Sequence, residues 1–244
     1  MPVKILLNGA KGRMGQTIIR IAGECGVEVA AATDIGDDPA PFIAACDIVV
    51  DFSFHTATLS IAKLAAANGK PIVIGTTGHS PEERAAVLAL SDKTPMIFAG
   101  NYSLGVNLLY FLVERAASIL GPEFNPEVVE MHHNQKKDAP SGTAERIVEV
   151  IRKARDIAAE NVVNGRSGMP GARPVSEIGV HAIRGGDIVG EHTVYFVGPG
   201  ERIEIAHKAT DRAILARGAL RAATWLVGHK PGLYEMKDVL GLAG

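Results

Sequence analysis

Near its start the chain runs from an apolar stretch, Val3-Lys-Ile-Leu-Leu-Asn8, straight into Gly9-Ala-Lys-Gly12-Arg-Met-Gly15, and this junction constrains the fold more than any other stretch. An aliphatic run, closely spaced glycines and then a stripe of Met14, Ile18, Ile21 and Ala22 reads as strand, tight turn and helix. The first glycine permits the turn, Gly12 lets backbone approach a pyrophosphate, and Gly15 lets the helix pack on the strand. Unpaired amides at the helix start then face the phosphates. The spacing is G-x-x-G-x-x-G rather than G-x-G-x-x-G, and glycine turns also serve packing alone, so the surrounding chain has to decide.

That context favours a nucleotide. A second β-rich run, Val27-Glu-Val-Ala-Ala-Ala-Thr33, ends at Asp34. A carboxylate at a strand end often only caps a turn, but downstream of a glycine turn it suits the adenosine ribose hydroxyls. Strand-like residues 47–52, a helical pattern over 59–66 and a strand over 71–74 follow. The last of these leads into Gly75-Thr76-Thr77-Gly78, and Ser80-Pro81-Glu-Glu83 then has the spacing of a capping box with proline at the first helical position. A strand over 96–99 runs into Gly100-Asn101-Tyr102-Ser103. Strands alternating with helices at this rhythm predict an α/β fold, a Rossmann-type doubly wound parallel sheet whose ligand lies at the carboxyl ends of its strands.

From Leu104 the pattern changes. A helical segment is followed by strand-like stretches at 177–183, 188–197 and 202–207, the last two joined by Val197-Gly-Pro-Gly-Glu201. Alternation and that turn predict hairpin pairing in a second, α+β domain with a mostly antiparallel or mixed sheet. Residues 164–174, with Gly165, Gly168, Gly171, Pro170 and Pro174, read as a long mobile loop. A strongly helical segment at 212–227 returns to the first domain. The expected division is 1–103 with 213–244 for dinucleotide binding, and 104–212 for substrate binding and oligomerisation.

The densest chemistry lies in Glu130-Met-His-His-Asn-Gln-Lys-Lys-Asp-Ala-Pro-Ser-Gly-Thr143. Two imidazoles, His132 and His133, and two ammonium groups, Lys136 and Lys137, make a cationic pocket just after the β-branched pair Val128-Val129. Ser141-Gly142-Thr143 then opens a helix whose unpaired amides face whatever those cations hold. Singly, each is an ordinary loop or N-cap residue. Together they suit a small ligand with more than one carboxylate.

Composition narrows the alternatives. With 25 Lys and Arg against 27 Asp and Glu the net charge is −2, so no global field attracts nucleic acid or an anionic membrane, and neither is an expected partner. With 47% apolar residues the chain has material for a full core. Cys25 and Cys46 lack metal-type spacing and read as small hydrophobes in a reducing compartment. No signal pattern or membrane-length apolar run is visible, which makes the cytoplasm the expected location. No metal site is expected.

These residues resemble the 4-hydroxy-tetrahydrodipicolinate reductase family, also called dihydrodipicolinate reductases, over nearly the whole chain. Beyond the glycine turn and the histidine-lysine stretch, the resemblance is carried by Gly75-Thr-Thr-Gly78, Ala99-Gly-Asn-Tyr-Ser103, Arg184-Gly-Gly-Asp-Ile-Val-Gly-Glu-His192 and His207-Lys-Ala-Thr-Asp-Arg212. It implies NADH- or NADPH-dependent reduction of a cyclic dicarboxylate in diaminopimelate and lysine biosynthesis, by a homotetramer joined through sheets of the second domain. It implies that His132 is the general acid/base and Lys136 the proton donor, and that His133, Gly142 and Thr143, with Ser141 as a weaker member, hold substrate. Cofactor contacts fall on Gly9, Ala10, Lys11, Gly12, Arg13, Met14, Asp34, Gly75, Thr76, Thr77, Ala99, Gly100, Asn101 and Tyr102. Many family members carry arginine after the ribose-binding carboxylate; here Ile35 follows Asp34, which predicts a modest preference for NADH with NADPH still usable.

Two other readings compete. A different two-domain reductase would share the glycine turn but would not need paired histidines followed by Lys136 and Ser-Gly-Thr. A non-catalytic nucleotide sensor would bind cofactor with His132 and Lys136 idle, and a hydride-transfer assay separates it from either enzyme.

Overall fold

In the computed structural model, which describes residues 1–242, the chain divides into two units. One comprises Met1–Leu104 and the chain from Ala213 onward, the other Gly105–Arg212. Positions 243 and 244 of the expected first domain lie outside the described residues.

The first unit opens with β1 (Val3–Asn8), α1 (Arg13–Ile21), β2 (Val27–Thr33), β3 (Ile48–Asp51), α2 (His55–Ala67), β4 (Ile72–Ile74), α3 (Pro81–Leu88) and β5 (Pro95–Phe98). The second holds nearly all of α4 (Leu104–Ile119), then β6 (Asn125–His132), α5 (Gly142–Arg155), β7 (Val162–Asn164), β8 (Ile178–Arg184), β9 (Gly190–Gly198) and β10 (Glu201–Ala209). The chain re-enters the first unit with α6 (Ala213–Leu226), β11 (Gly232–Tyr234) and α7 (Met236–Val239).

All strands of the first sheet are parallel, in the order β11-β5-β4-β3-β1-β2. Its central strands are apolar without alternation because both faces are covered. Leu6, Val49, Ile72 and Ile74 pack towards α2 and α3, while Ile5, Leu7, Ile48 and Val50 pack towards α1 and α6. The chain leaves β1 in one direction for β2 and in the other for β3, so the strand order reverses at β1 and opens a crevice at the carboxyl ends of β1 and β3. The capping box at Ser80 and Glu83 forms as its spacing predicts.

The second sheet is mixed, in the order β10-β9-β6-β8-β7, with β6 parallel to β8 and antiparallel to β9. One face is sealed by α4 and α5, where Leu109, Val113, Ile147 and Ile151 meet Val128, Val180, Val194 and Phe196. Alternate residues of β6 and β9 are buried, as a one-sided sheet requires. The stretch 164–174, expected to be a long mobile loop, begins at the last residue of β7 and otherwise holds no helix or strand. Arg166 pairs with Glu127 and Glu177, and Arg173 bonds Glu127, Asn125 and the Glu177 carbonyl, pinning both ends to the sheet. Burial alone would raise the Glu127 carboxyl, but Arg166, His181 and Arg173 outweigh it and hold the group down at about 2.

Candidate active site

In the first unit the carboxyl end of β1 turns at Gly9, whose φ of 86° places it in the left-handed region. A Cβ there would stand 2.3 Å from the Phe52 carbonyl oxygen, and one at Gly15 would stand 2.3 Å from the Gly9 carbonyl oxygen. Both positions therefore require glycine. Gly12 is the N-cap of α1 and offers no side chain to its first amides, which leaves the helix start suited to an anion. Asp34 ties the end of β2 to this turn: one carboxylate oxygen accepts from the Lys11 amide at 2.7 Å and the other from the Ile35 amide at 2.9 Å. Those two backbone hydrogen bonds, Lys11 first, hold the Asp34 carboxyl below its usual range. Ala10 is buried against the core, while Lys11, Gly12 and Arg13 are exposed and Met14 is half-buried. The residues fit a dinucleotide: the turn can be built only from glycine, its helix start is uncapped, and an ionised carboxylate stands at the next strand end.

At the ends of β4 and β5, Thr77, Gly78, Gly100, His79, Arg84 and Phe98 surround a small cavity of about 150 Å³ that Thr76 also borders. Gly75 is pressed against the Phe52 ring, where any Cβ would clash. Thr76 is buried; its hydroxyl donates to the Asp51 carboxylate at 2.7 Å and accepts from the Ser53 amide at 2.9 Å. Ala99 is half-buried, and the Asn101 side chain accepts from the Ser103 amide. The Tyr102 side chain packs into the core. Its ring is buried, its hydroxyl donates to the Ile74 carbonyl at 2.7 Å, and burial raises its pKa. That side chain is a core strut, which leaves only its backbone for a ligand.

In the second unit β6 continues to His132, so the histidine stands on a strand and Glu130 lies on the same side two residues earlier. Glu130 is fully buried yet ionised. Its oxygens accept from Arg184 Nη1 at 2.8 Å and Nη2 at 2.7 Å, from His132 Nδ1 at 2.6 Å and from the Ser141 amide at 3.1 Å. Burial pushes the carboxyl up, but Arg184 and then His132 outweigh it and hold it below the usual range. Burial lowers His132, and its bond to Glu130 offsets only part of that.

Ser141 caps α5 by accepting from the Ala144 amide, and its hydroxyl meets Nε2 of His192 at 2.9 Å. His192 is buried, and desolvation followed by the nearby His132 pushes it down to about 4. Nζ of Lys136 sits 2.8 Å from both Asp138 oxygens, and Arg212 Nη2 donates to Nε2 of His133 at 3.0 Å. Gly142 is exposed with nothing within 4 Å of an added Cβ, and the Thr143 hydroxyl bonds Tyr110. The second unit thus gathers His132, His133, Lys136 and the start of α5, in agreement with their spacing in the chain.

Glu130, Arg184, His192, Arg212 and Asp138 received no role from the sequence. The motifs 184–192 and 207–212 were the available signal, but their partners are fixed by sheet register. Among the described residues no group of three or more His, Cys, Asp or Glu could hold a metal, and no helix is long and apolar enough to cross a membrane.

The glycine turn, the carboxylate at the end of β2 and the histidine-lysine cluster together define a Rossmann-type oxidoreductase with a second, mixed-sheet unit. Family models agree: the dihydrodipicolinate reductase N-terminus matches residues 3–102 and the dihydrodipicolinate reductase C-terminus matches residues 105–240. A 4-hydroxy-tetrahydrodipicolinate reductase of Akkermansia muciniphila is 49% identical, with 99% of each chain covered. That of Geobacter metallireducens is 45% identical over 98% of this chain and 99% of its own. A solved dihydrodipicolinate reductase from Paenisporosarcina, with dipicolinate bound, shares the fold at a TM-score of 0.80 and 23% identity, covering 98% of this chain and 99% of that one. The chain belongs to the dihydrodipicolinate reductase family. It is an NAD(P)H-dependent oxidoreductase that reduces 4-hydroxy-tetrahydrodipicolinate in diaminopimelate and lysine biosynthesis.

Proposed function

We propose that the first unit, with the 213–244 segment, holds the nicotinamide cofactor through Gly9 to Met14, Asp34, Gly75 to Thr77 and Ala99 to Tyr102, and that the second holds a ring dicarboxylate. His133, Ser141, Gly142 and Thr143 bind that substrate, and His132 and Lys136 manage its proton. The observation that carries this reading is that His132 and the Ser141 amide, at the start of α5, both bond one ionised, buried carboxylate, Glu130, with Lys136 near enough to His132 to act on its charge. The dipicolinate bound by the Paenisporosarcina relative is itself a ring dicarboxylate.

The cofactor supplies a hydride to a ring carbon of the substrate. With one proton taken up, the net change replaces the ring hydroxyl by hydrogen and releases it as water. Charge-assisted bonds from Lys136 and the amides after Ser141 hold the carboxylates. An imidazole can deliver the proton once a dianion beside it draws its pKa upward. His132, lowered by burial while free, is such a group.

NADH is favoured modestly. Asp34 is ionised at the end of β2 beside the glycine turn, and Ile35, 92% exposed, offers no guanidinium to a 2′-phosphate. The enzyme acts in the cytoplasm as a homotetramer, joined on the side of the second sheet away from its helices, where Ile183 and Val197 are exposed.

Loss of reduced-nicotinamide absorbance on mixing with freshly generated hydroxy-tetrahydrodipicolinate tests the reading; no oxidation with either cofactor defeats it. His132→Ala and Lys136→Ala should each lower turnover by roughly two to four decades with cofactor affinity nearly unchanged. Equal loss of cofactor affinity in both variants would show the roles to be misassigned.

A further inference from the structure

We propose that Glu130 is a positioning residue: locked by Arg184 and the Ser141 amide, its carboxylate keeps the His132 proton on Nδ1 and presents Nε2 as the nitrogen that exchanges a proton with substrate. The inference rests on the proton-transfer role proposed for His132.

An ionised carboxylate only accepts hydrogen bonds, so the 2.6 Å contact from Glu130 Oε2 to His132 Nδ1 requires the proton on Nδ1. The alternative, a neutral Glu130 donating to Nδ1, conflicts with the two-pronged Arg184 contact, which demands an anion. Nε2 has no protein hydrogen bond among the described residues and looks towards Gly190, where an added Cβ would stand 2.9 Å from it. Glycine at that position leaves room beside the reacting nitrogen.

The frame around Glu130 is rigid because four elements meet on it. Glu130 and His132 come from β6, Arg184 from β8 in register with His132, and His192 from β9 in register with Glu130. Ser141 begins α5 and contacts both Glu130 and His192. The charged or titratable groups around the imidazole are thus Glu130, Arg184, His192 and Lys136. Glu130 favours the protonated imidazole, whereas Arg184 and Lys136 oppose it. An ion pair serving the fold alone would be complete with Arg184; the third contact, to Nδ1, fixes which nitrogen faces outward.

Two measurements test this. Long-range ¹H–¹⁵N spectra of the ligand-free wild-type protein at mildly alkaline pH, with the His132 signal assigned by its loss in His132→Gln, should show Nδ1 protonated and Nε2 bare. The opposite tautomer would overturn the proposal. In Glu130→Gln turnover should fall roughly 10- to 100-fold with substrate KM changed less than about threefold. The limb where activity falls with rising pH should move at least about one unit lower, because the imidazolium has lost its anion. Glu130→Asp keeps the charge and should restore that limb. It also serves if the glutamine variant does not fold. Activity lost in Glu130→Gln with tautomer and pH limb unchanged would reduce Glu130 to a structural ion pair and overturn the assignment. A wild-type protein that oxidises no reduced nicotinamide would defeat the functional reading and the proton-exchange role with it, whereas the tautomer spectrum reports on Glu130 separately.

Discussion

Lys136 and Asp138 form an internal ion pair in which Nζ lies 2.8 Å from each carboxylate oxygen, and Asp138 is largely exposed. The Lys136 bond holds the Asp138 carboxyl below its usual range. A substrate carboxylate seeking Lys136 must displace this resident one. An exposed ion pair is worth about 0.2–1 kcal/mol, so Asp138→Asn should lower substrate KM by up to about fivefold at low ionic strength. Turnover should change little, and added salt should shrink the difference. Steady-state kinetics at two ionic strengths checks this; a higher KM in the variant would mean that Asp138 holds Lys136 in place for substrate.

Gly142 sits at the first position of α5, and an added side chain there meets no protein atom within 4 Å. Gly142→Val should therefore leave the melting temperature nearly unchanged while raising substrate KM more than cofactor KM, because the branched side chain crowds the anion-facing amides. An unchanged substrate KM would argue against an anion site at this helix start.

Ile35 is exposed beside a carboxylate that two backbone amides already anchor. Ile35→Arg should shift the ratio of catalytic efficiencies towards NADPH, since a guanidinium can clamp the 2′-phosphate that Asp34 repels. In the native enzyme NADH should lead modestly at low ionic strength. A native preference for NADPH above about tenfold would mean that Lys11 or Arg13 outweighs Asp34.

Acid should weaken the fold through His192. Its imidazole is held down to about 4 from an ordinary 6.5, so between those values the unfolded chain binds a proton that the native state lacks. This contribution is complete above about pH 6.5 and is lost as pH falls towards 4, on the order of 3 kcal/mol in all. His132 and His207, also lowered by burial, act in the same direction. Below about 4.5, protonation of Glu127, held down at about 2, adds a further loss. Urea midpoints at pH 7.5 and 5 should differ clearly, and His192→Gln should flatten the dependence by close to one proton. An unchanged slope in that variant would show that His192 is not the group responsible.

Features that depend on neighbours in sequence are legible in the sequence itself. The parallel sheet follows from continuous β-branched runs that only a doubly covered sheet can bury, and the Ser80–Glu83 capping box depends on a four-residue spacing. Gly15 is legible for the same reason, since it answers to the backbone of Gly9 and Ala10 a few residues before it, whereas Gly9 answers to Phe52 at the end of β3. Even the cluster at His132, His133, Lys136 and Ser141 is local, since a strand end, a turn and a helix start are consecutive in the chain.

What the tertiary structure alone decided is which of these groups are paired. By sequence Glu130 is one more residue of a charged stretch, and its partner Arg184 lies 54 positions away, while Ser141 meets His192 across 51. Those pairings come from the register of β6 against β8 and β9, which is set by long-range packing on α4 and α5. The three-residue strands β7 and β11 are too short to show any alternation, and the arginines that pin 164–174 find their carboxylates only once β6 and the residues before β8 are side by side. Tyr102 shows the same limit from the other direction, since its place in a glycine-rich strand end suggests a ligand contact and burial between β4 and β5 makes it a strut. Residue identity and spacing determined which chemistry was present, and the desolvation and charge pairing that set the protonation of His132, Glu130 and His192 exist only where strands distant in sequence meet.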